Sequence, residues 1–305
     1  MGSPYLSVIV VSWNTAALLA QCLRSVEATA CNLSCEVVVV DNGSSDGSQA
    51  MLREQFPTVR LVQNSANLGF ARASNQGFAL SRGRYGLLLN SDAILLPDAV
   101  PAMLKVAEAD PRTGIVGARL LNGDGSFQAS YTPFPSLLRE FLILSGLGRL
   151  LFGRWYPSRG PEEEAGPQVV DYVEGACMLV RREAFEAVGG LDEQYFMYAE
   201  EVDLCYAMRQ KGWRVYYQPS AKVIHLGGGS SRKRPVEREC HLYQSRVRFC
   251  RKHYGSRAAE LLKLQIIALT ATKVVVRGLA RRLCGKRYAR PIVPLKLLIT
   301  ELGKV

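Results

Sequence analysis

Acidic, amide and hydroxyl side chains gather in three short loops of this chain, each directly after an apolar run. Residues 37–40 lead into Asp41-Asn42-Gly43-Ser44-Ser45-Asp46-Gly47, residues 61–63 into 64–69, and residues 87–89 into Asn90-Ser91-Asp92. Such loops either bind a polar ligand or close turns. At a strand end, Asp41 can accept hydrogen bonds from a polar ligand or cap its own turn. Asn42, Gly43, Ser44 and Ser45 supply donors and permissive backbone beside it, and Ser12 and Asn14, ending the first strand, fall to the same pocket. Asn67 and Gly69 stand just before a helix, where free N–H groups attract diphosphate and a glycine admits close approach; a cap with no ligand uses the same residues. Glu200, Glu201 and Asp203 cluster at a helix start, a place the dipole favours without any chemistry. His225, one of three histidines, opens a glycine-rich loop after an apolar strand, although a lone histidine is more often structural.

These residues need a frame. Apolar runs that are continuous rather than alternating suit strands buried on both faces, and parallel α/β sheets bind ligands outside the carboxyl ends of such strands. The pattern predicts strands over 7–13, 36–40, 60–63 and 85–89. It predicts helices over 15–28, from 46 onward with Asp46 as cap, over 70–80, and over 97–109 with Pro97 in the first turn. Four strand–helix units make a doubly wound sheet the economical reading. Asn122-Gly123-Asp124-Gly125 then signals a hairpin between 118–121 and 126–130. Residues 131–167, rich in proline, glycine and apolar side chains, read as an insertion facing a membrane or an acceptor. Strands at 169–173 and 177–180, helices at 182–188 and 200–210, a strand at 214–217 and a loop at 225–231 follow. Trp213, Tyr216 and Tyr217 fit core positions better than a sugar platform.

In order and spacing these motifs resemble the inverting glycosyltransferases of family 2 over residues 5–235. The carriers are 8–14, the Asp41–Gly47 loop, Asn67-Leu68-Gly69-Phe70, Asn90-Ser91-Asp92, Gly189-Gly190-Leu191-Asp192-Glu193, Glu200-Glu201-Val202-Asp203-Leu204-Cys205 and His225-Leu226-Gly227-Gly228-Gly229-Ser230. The chain looks most similar to the bacterial rhamnosyltransferase-type members. The resemblance implies an α/β GT-A fold: a doubly wound, mostly parallel sheet with a small antiparallel portion, followed by a basic helical tail. It implies a domain over 1–235, with a nucleotide-binding half (1–113) and an acceptor and catalytic half (114–235), and a partly apolar tail over 236–305. Asp41 matches the family's base-binding aspartate. Asn90-Ser91-Asp92 takes the place of an Asp-x-Asp element, with Asn as its first member, leaving Asp92 to ligate Mg2+ or Mn2+ and His225 to complete the set. Ser91 joins the substrate pocket. The family's base, the second acid of a Glu-Asp pair, falls on Glu201, one methylene longer, with Asp203 and Glu200 as alternatives. Gly175 and Ala176 fall where the family places small residues near donor sugar and acceptor; close strand packing explains them equally well. The implied substrates are a dTDP- or UDP-linked sugar and a glycan or lipid-linked acceptor, and the implied role is polysaccharide biosynthesis.

Composition limits the alternatives. With 305 residues and 48% hydrophobic content, the chain can bury a large core. Its eight cysteines show no paired metal spacing, Cys31-x3-Cys35 being too little, and suit reduced thiols in the cytoplasm. The first residues lack the basic-then-apolar pattern of a secretory signal, and Leu6 stands where a myristoylation motif needs Ser or Thr. Charge divides sharply: residues 1–230 carry 19 Lys/Arg against 23 Asp/Glu, a net −4, and residues 231–305 carry 19 against 4, a net +15. Interleaved apolar runs favour an anionic membrane surface over a packed basic helix, and sparse aromatics disfavour nucleic acid. The expected placement is peripheral, on the inner face of the cell membrane. A nucleotidyltransferase would show a glycine-rich basic loop after the first strand, and a Rossmann dehydrogenase a Gly-x-Gly-x-x-Gly; neither is present. A catalytically silent sugar-nucleotide binder of the same fold remains a rival.

Overall fold

The computed structural model describes residues 4–30, 34–158, 166–229, 234–284 and 292–305. Cys31, Ser230, Ser231 and the 159–165 part of the predicted insertion lie outside them. In chain order the elements are β1 (Leu6–Ser12), α1 (Ala16–Ala30), β2 (Cys35–Asp41), α2 (Ser48–Gln55), β3 (Arg60–Gln63), α3 (Phe70–Leu80), β4 (Tyr85–Asn90), β5 (Ala93–Leu95), α4 (Ala99–Ala109), β6 (Thr113–Leu121), β7 (Tyr131–Thr132), α5 (Leu137–Ser145), α6 (Leu147–Phe152), β8 (Gln168–Val169), β9 (Tyr172–Val173), β10 (Cys177–Arg181), α7 (Arg182–Val188), α8 (Glu200–Gln210), β11 (Arg214–His225), α9 (Pro235–Tyr254), α10 (Ser256–Cys284) and α11 (Leu295–Leu302). They form two compact units.

The first unit comprises Met1–Phe134, Ser158–Phe196 and Glu200–Ser230. Among the described residues its sheet runs β3-β2-β1-β4-β10-β6-β11-β5, with β8 beside β11. β3, β2, β1 and β4 are parallel to one another. β10 runs antiparallel between β4 and β6, and β11 runs parallel to β6. The carboxyl ends of β1, β2, β4, β6 and β11 therefore share one edge, and β10 begins there. Leu19, Cys22, Leu23 and Val26 of α1 keep helical spacing and pack with Val8, Val10, Leu87 and Leu89 on one face. Phe78 and Phe185, stacked with centroids 3.8 Å apart, help fill the other.

Several expected details differ. Asp46 does not cap α2; Gly47 occupies that position, and Asp46 braces two helix starts, accepting from the Ala16 N–H (2.8 Å) and the Ser48 N–H (3.1 Å). Pro97 lies ahead of α4, because Asp98 turns left-handed (φ 64°) before the helix begins. The Asn122 turn forms, but its second arm makes one bridge, Leu121 to Phe127, rather than a strand. The strand predicted at 169–173 is split between β8 and β9. β11 continues past Tyr217 to His225 through an irregularity between Gln218 and Lys222.

The second unit comprises Pro135–Pro157, Met197–Ala199 and Ser231–Val305. It is not a tail attached at 236, because the 135–157 segment shares its core. Leu144 of α5 packs with Tyr243 and Val247 of α9, Leu262 and Ile266 of α10, and Leu298 and Leu302 of α11. Glu140, buried, pairs with Arg246 at 2.7 Å. Past Thr270 no described side chain of α10 is fully buried. No helix among the described residues is long and apolar enough to cross a membrane.

Candidate active site

Strand register assembles the site. Ser12 pairs with Asp41 across β1 and β2, Val11 with Asn90 across β1 and β4, and Cys177 with Leu89 across β10 and β4. Asp41, Asp92 and the residues just before β10, Gly175 and Ala176, therefore lie at one sheet edge.

Asp41 is fully buried. Its Oδ1 accepts from the Ser44 N–H (3.0 Å) and from Gln49 Nε2 (2.8 Å), and its Oδ2 is buried with no hydrogen-bond partner. The aspartate thus caps a turn and still holds an unfilled acceptor. Asn14, at φ 54°, joins the first loop to this turn: its N–H donates to Ser44 Oγ (2.9 Å), and its Oδ1 accepts from the Ser45 N–H (2.8 Å). Gly43 sits at φ 78°, where an added Cβ would come within 2.9 Å of Ala66 Cα, so no other residue closes this turn without strain. Ser12 and Ser91 are bridged by Thr15, whose Oγ1 lies 3.0 Å from Ser12 Oγ and donates to Ser91 Oγ at 2.9 Å. Thr15 was invisible to sequence reasoning, which saw only the start of a helix.

The loop before α3 departs from expectation. The N–H groups of Leu68, Gly69 and Phe70 are engaged within the protein. Leu68 N–H donates to Asn42 Oδ1 (3.1 Å), Gly69 N–H to Asn67 Oδ1 (3.0 Å) and Phe70 N–H to the Phe196 carbonyl (2.8 Å). Asn42, buried, also donates to Asn67 Oδ1 (2.9 Å) and to the Gly69 carbonyl (3.1 Å). Asn67 and Gly69 therefore shape the wall of the edge rather than presenting these groups to a diphosphate. Gly69, at φ 88°, is required because a Cβ would lie 2.6 Å from the Phe196 carbonyl oxygen.

The antiparallel pairing of β5 with β11 sets Ala93 opposite His225. That register brings His225 Nε2 within 3.4 Å of Asp92 Oδ1, and the Gly229 N–H donates to Asp92 Oδ2 at 3.1 Å. Burial alone would raise the Asp92 carboxyl; the His225 hydrogen bond and charge, with the Gly229 amide, hold it below its ordinary value. Gln128 completes the arrangement. Its amide donates to Asn122 Oδ1 (3.0 Å) and to the His225 carbonyl (3.3 Å), which turns Oε1 toward His225 Nδ1 at 2.7 Å. Nδ1 then carries a hydrogen, and Nε2 faces Asp92, donating to it in the protonated imidazole and leaving a lone pair for a cation in the neutral one. A carboxylate and an imidazole nitrogen this close suit one divalent cation. Among the described residues no cluster of three or more His, Cys, Asp or Glu could hold a metal, so the remaining ligands would come from phosphate and water.

At the start of α8 the three acids separate. Asp203 is buried and accepts from the Tyr195 hydroxyl at 3.3 Å. Glu200 is buried, with Oε2 lacking any hydrogen-bond partner, and burial plus the neighbouring Glu201 carboxylate push its pKa well up. Glu201 is only partly buried and lies against Gly175, where an added Cβ would stand 3.5 Å from its Cβ and Cγ. Ala176 in turn accepts from the Asn90 N–H at 3.0 Å. Glu201, the least buried of the three acids, thus lies beside the residues that lead into β10.

Comparison with known proteins bears on the family and the fold. The family model described as Glycosyl transferase family 2 matches residues 7–189. N-acetylglucosaminyl-diphospho-decaprenol L-rhamnosyltransferase of Mycobacterium tuberculosis (strain CDC 1551 / Oshkosh) is 33% identical over 249 residues, covering 76% of this chain and 79% of that protein. Rhamnosyltransferase WbbL of Escherichia coli (strain K12) is 29% identical over 174 residues, 54% of this chain and 63% of that protein. Among solved structures, mannosyltransferase PcManGT from Pyrobaculum calidifontis in complex with GDP-Man and Mn2+ superposes with a TM-score of 0.57 at 18% identity, over 99% of this chain and 85% of that one. GalNAc-T7 with UDP, GalNAc and Mn2+ gives a TM-score of 0.60 at 17% identity, over 82% of this chain but only 48% of that one. Likeness at such low identity speaks for the fold, which is GT-A; the family follows from the match over residues 7–189, and the chain belongs to glycosyl transferase family 2.

Proposed function

We propose that this glycosyltransferase moves one sugar, with rhamnose the leading candidate, from a dTDP- or UDP-linked donor to a glycan or lipid-linked acceptor in cell-surface polysaccharide synthesis, with inversion and with help from Mg2+ or Mn2+. The observation that carries the reading is the shared sheet edge, where Asp41 keeps a buried, unfilled acceptor, Asp92 and His225 form a cation-suited pair, and Glu201 is a partly buried carboxylate against Gly175. Asp41 Oδ2 suits the ring N–H of a pyrimidine; because the side chain is fully covered, a base could reach it only after local opening. Asn14, Ser44 and Ser91 line the approach, and Ser12, Gly43, Asn67 and Gly69 hold its walls.

Asp92 and His225 would hold the cation, which when bound offsets the charge that builds on the departing diphosphate. Glu201 takes the proton of the acceptor hydroxyl as the new C–O bond forms at the anomeric carbon and the bond to the diphosphate breaks on the opposite face. Burial, with the neighbouring Glu201 carboxylate, pushes the Glu200 carboxyl toward its protonated form, which opposes a second negative charge beside the base. Gly175 and Ala176 leave room for sugar next to the base. Two relatives named as rhamnosyltransferases, one of them acting on a diphospho-decaprenol-linked sugar, support the choice of sugar and of a lipid-linked acceptor. Such an acceptor suits an enzyme held at the inner face of the cell membrane by the net +15 of residues 231–305.

The test is rhamnose transfer from dTDP-rhamnose to a lipid-diphosphate-linked N-acetylglucosamine, in wild type and Glu201→Gln. A loss of roughly 10²–10⁴ in turnover, with donor binding kept, is expected for a general base. Turnover unchanged in Glu201→Gln would remove this residue from the mechanism. Nucleotide binding without turnover in wild type would favour the catalytically silent reading.

A further inference from the structure

The second unit carries a feature that the net charge of the C-terminal stretch does not explain. In α6, Leu150, Leu151 and Phe152 are 79%, 64% and 64% exposed. The helix is bounded by two left-handed glycines, Gly146 (φ 82°) and Gly153 (φ 91°), so it forms a short tip rather than continuing a packed element. Arg149 and Arg154, both exposed, flank the tip, and the Arg154 guanidinium lies over the Trp155 ring at 4.6 Å. Residues 141–158 contain no carboxylate; the nearest acid before them, Glu140, is buried against Arg246, and the nearest after them, Glu162, Glu163 and Glu164, lie outside the described residues. A contiguous exposed apolar patch requires something to cover it. Leucine and phenylalanine beside tryptophan and arginine are the set that partitions into the boundary between headgroups and acyl chains, with the cations held among anionic headgroups. A second copy of the chain fits less well. In a two-fold contact the same patch meets itself, so Arg149 and Arg154 would face their own duplicates.

We propose that α6 is an interfacial foot: Leu150, Leu151 and Phe152 enter the outer part of an anionic bilayer while Arg149 and Arg154 engage its headgroups. The proposal rests on the reading that the acceptor is membrane-borne, and it assigns insertion to α6 rather than to the exposed valines of α10.

The experiment uses the full chain with vesicles of phosphatidylcholine containing phosphatidylglycerol, some carrying brominated acyl chains. Trp155 emission should shift to shorter wavelength and be quenched by the brominated lipid, and Trp155→Phe should lose that quenched component. The variant with Leu150→Ser, Leu151→Ser and Phe152→Ser, all exposed positions, should keep the wild-type circular dichroism spectrum. It should also keep transfer to a water-soluble acceptor analogue, while vesicle partition falls by roughly tenfold or more. Arg149→Glu with Arg154→Glu provides a second variant and should weaken partition to anionic vesicles at low salt. The proposal is overturned if the protein floats with vesicles while Trp155 stays unquenched. It is equally overturned if partition is lost only on Val275→Ser with Leu279→Ser, or if the triple serine variant dissolves a dimer seen in sedimentation. Transfer absent with both acceptors would count against the proposed reaction; transfer intact with no vesicle binding would count against the foot alone.

Discussion

Gln128 shows how a residue that need not touch substrate can set the behaviour of one that would. Its amide is oriented by Asn122 and by the His225 carbonyl, and its oxygen settles which imidazole nitrogen carries hydrogen. Outer partners of metal-binding histidines typically contribute tenfold to a hundredfold in affinity. Gln128→Ala should therefore weaken Mn2+ binding by about that factor in a titration read by electron paramagnetic resonance. Gln128→Glu, which keeps an acceptor toward Nδ1, should restore much of it; equal affinity in wild type and Gln128→Ala would refute the role. Glu200 makes a different prediction. Its pKa is raised in the folded protein, by burial and by Glu201, so the fold binds this proton more tightly than the unfolded chain does. The stability it confers is complete below the ordinary carboxylate range and is lost as pH climbs through the raised value. Glu200→Gln, neutral at every pH, should flatten the fall in melting temperature on the alkaline side. A pH profile parallel to wild type would show that Glu200 is ionised in the fold.

At the scale of elements, two adjacent arginines close the end of the sheet opposite the site. Arg181, buried at the end of β10, donates to the Thr113 carbonyl (2.7 Å), the Ala107 carbonyl and, at 3.4 Å, the Asp110 carbonyl, satisfying groups left open where α4 ends. Arg182 serves α3 in the same way through the Phe78 carbonyl (3.3 Å) and Ser81 Oγ (2.8 Å). Arg181→Met should cost about 3 kcal/mol in urea unfolding, because two buried carbonyls, of Thr113 and Ala107, lose a charged donor; a cost under about 1 kcal/mol would mean that water replaces it. The bounds of β3, α3, α7 and α8 were legible in the sequence, since apolar period and flanking turn residues agree there. The far half of β11 was not, because Gln218-Pro219-Ser220 interrupts the apolar run that pairing with β6 and β5 nonetheless extends. The place of β10 between β4 and β6 was hidden as well, since strand order is set by distant partners. Asp92 and His225 could be picked out by residue type, whereas Gln128 sits in an unremarkable polar stretch 97 residues before the histidine it orients.

For the whole molecule, the second unit changes how the C-terminal stretch must be probed. Leu262, Ile266, Leu298 and Leu302 belong to the core that also holds Leu144 and Val247. Deleting residues 256–305 would therefore remove core rather than an appended anchor, and the truncated protein should aggregate. Substituting exposed cations keeps that core. Arg251→Gln, Lys252→Gln and Arg257→Gln together should reduce binding to anionic vesicles at low salt and leave less difference at high salt, because exposed charges are screened beyond about 10 Å at 0.1 M. Binding that is equally strong in high salt would show that apolar insertion dominates.

The unpaired stretch between Gln218 and Lys222 also bears on how this enzyme tolerates change in length. β11 has three more residues there than β6, which passes directly from Ala118 to Arg119. An extra residue beside exposed Ser220 could be looped out with His225 still opposite Ala93. The same insertion between Val223 and His225 would turn the imidazole to the other side of the sheet. Natural or engineered variation in chain length should therefore survive at the first position and abolish cation binding at the second.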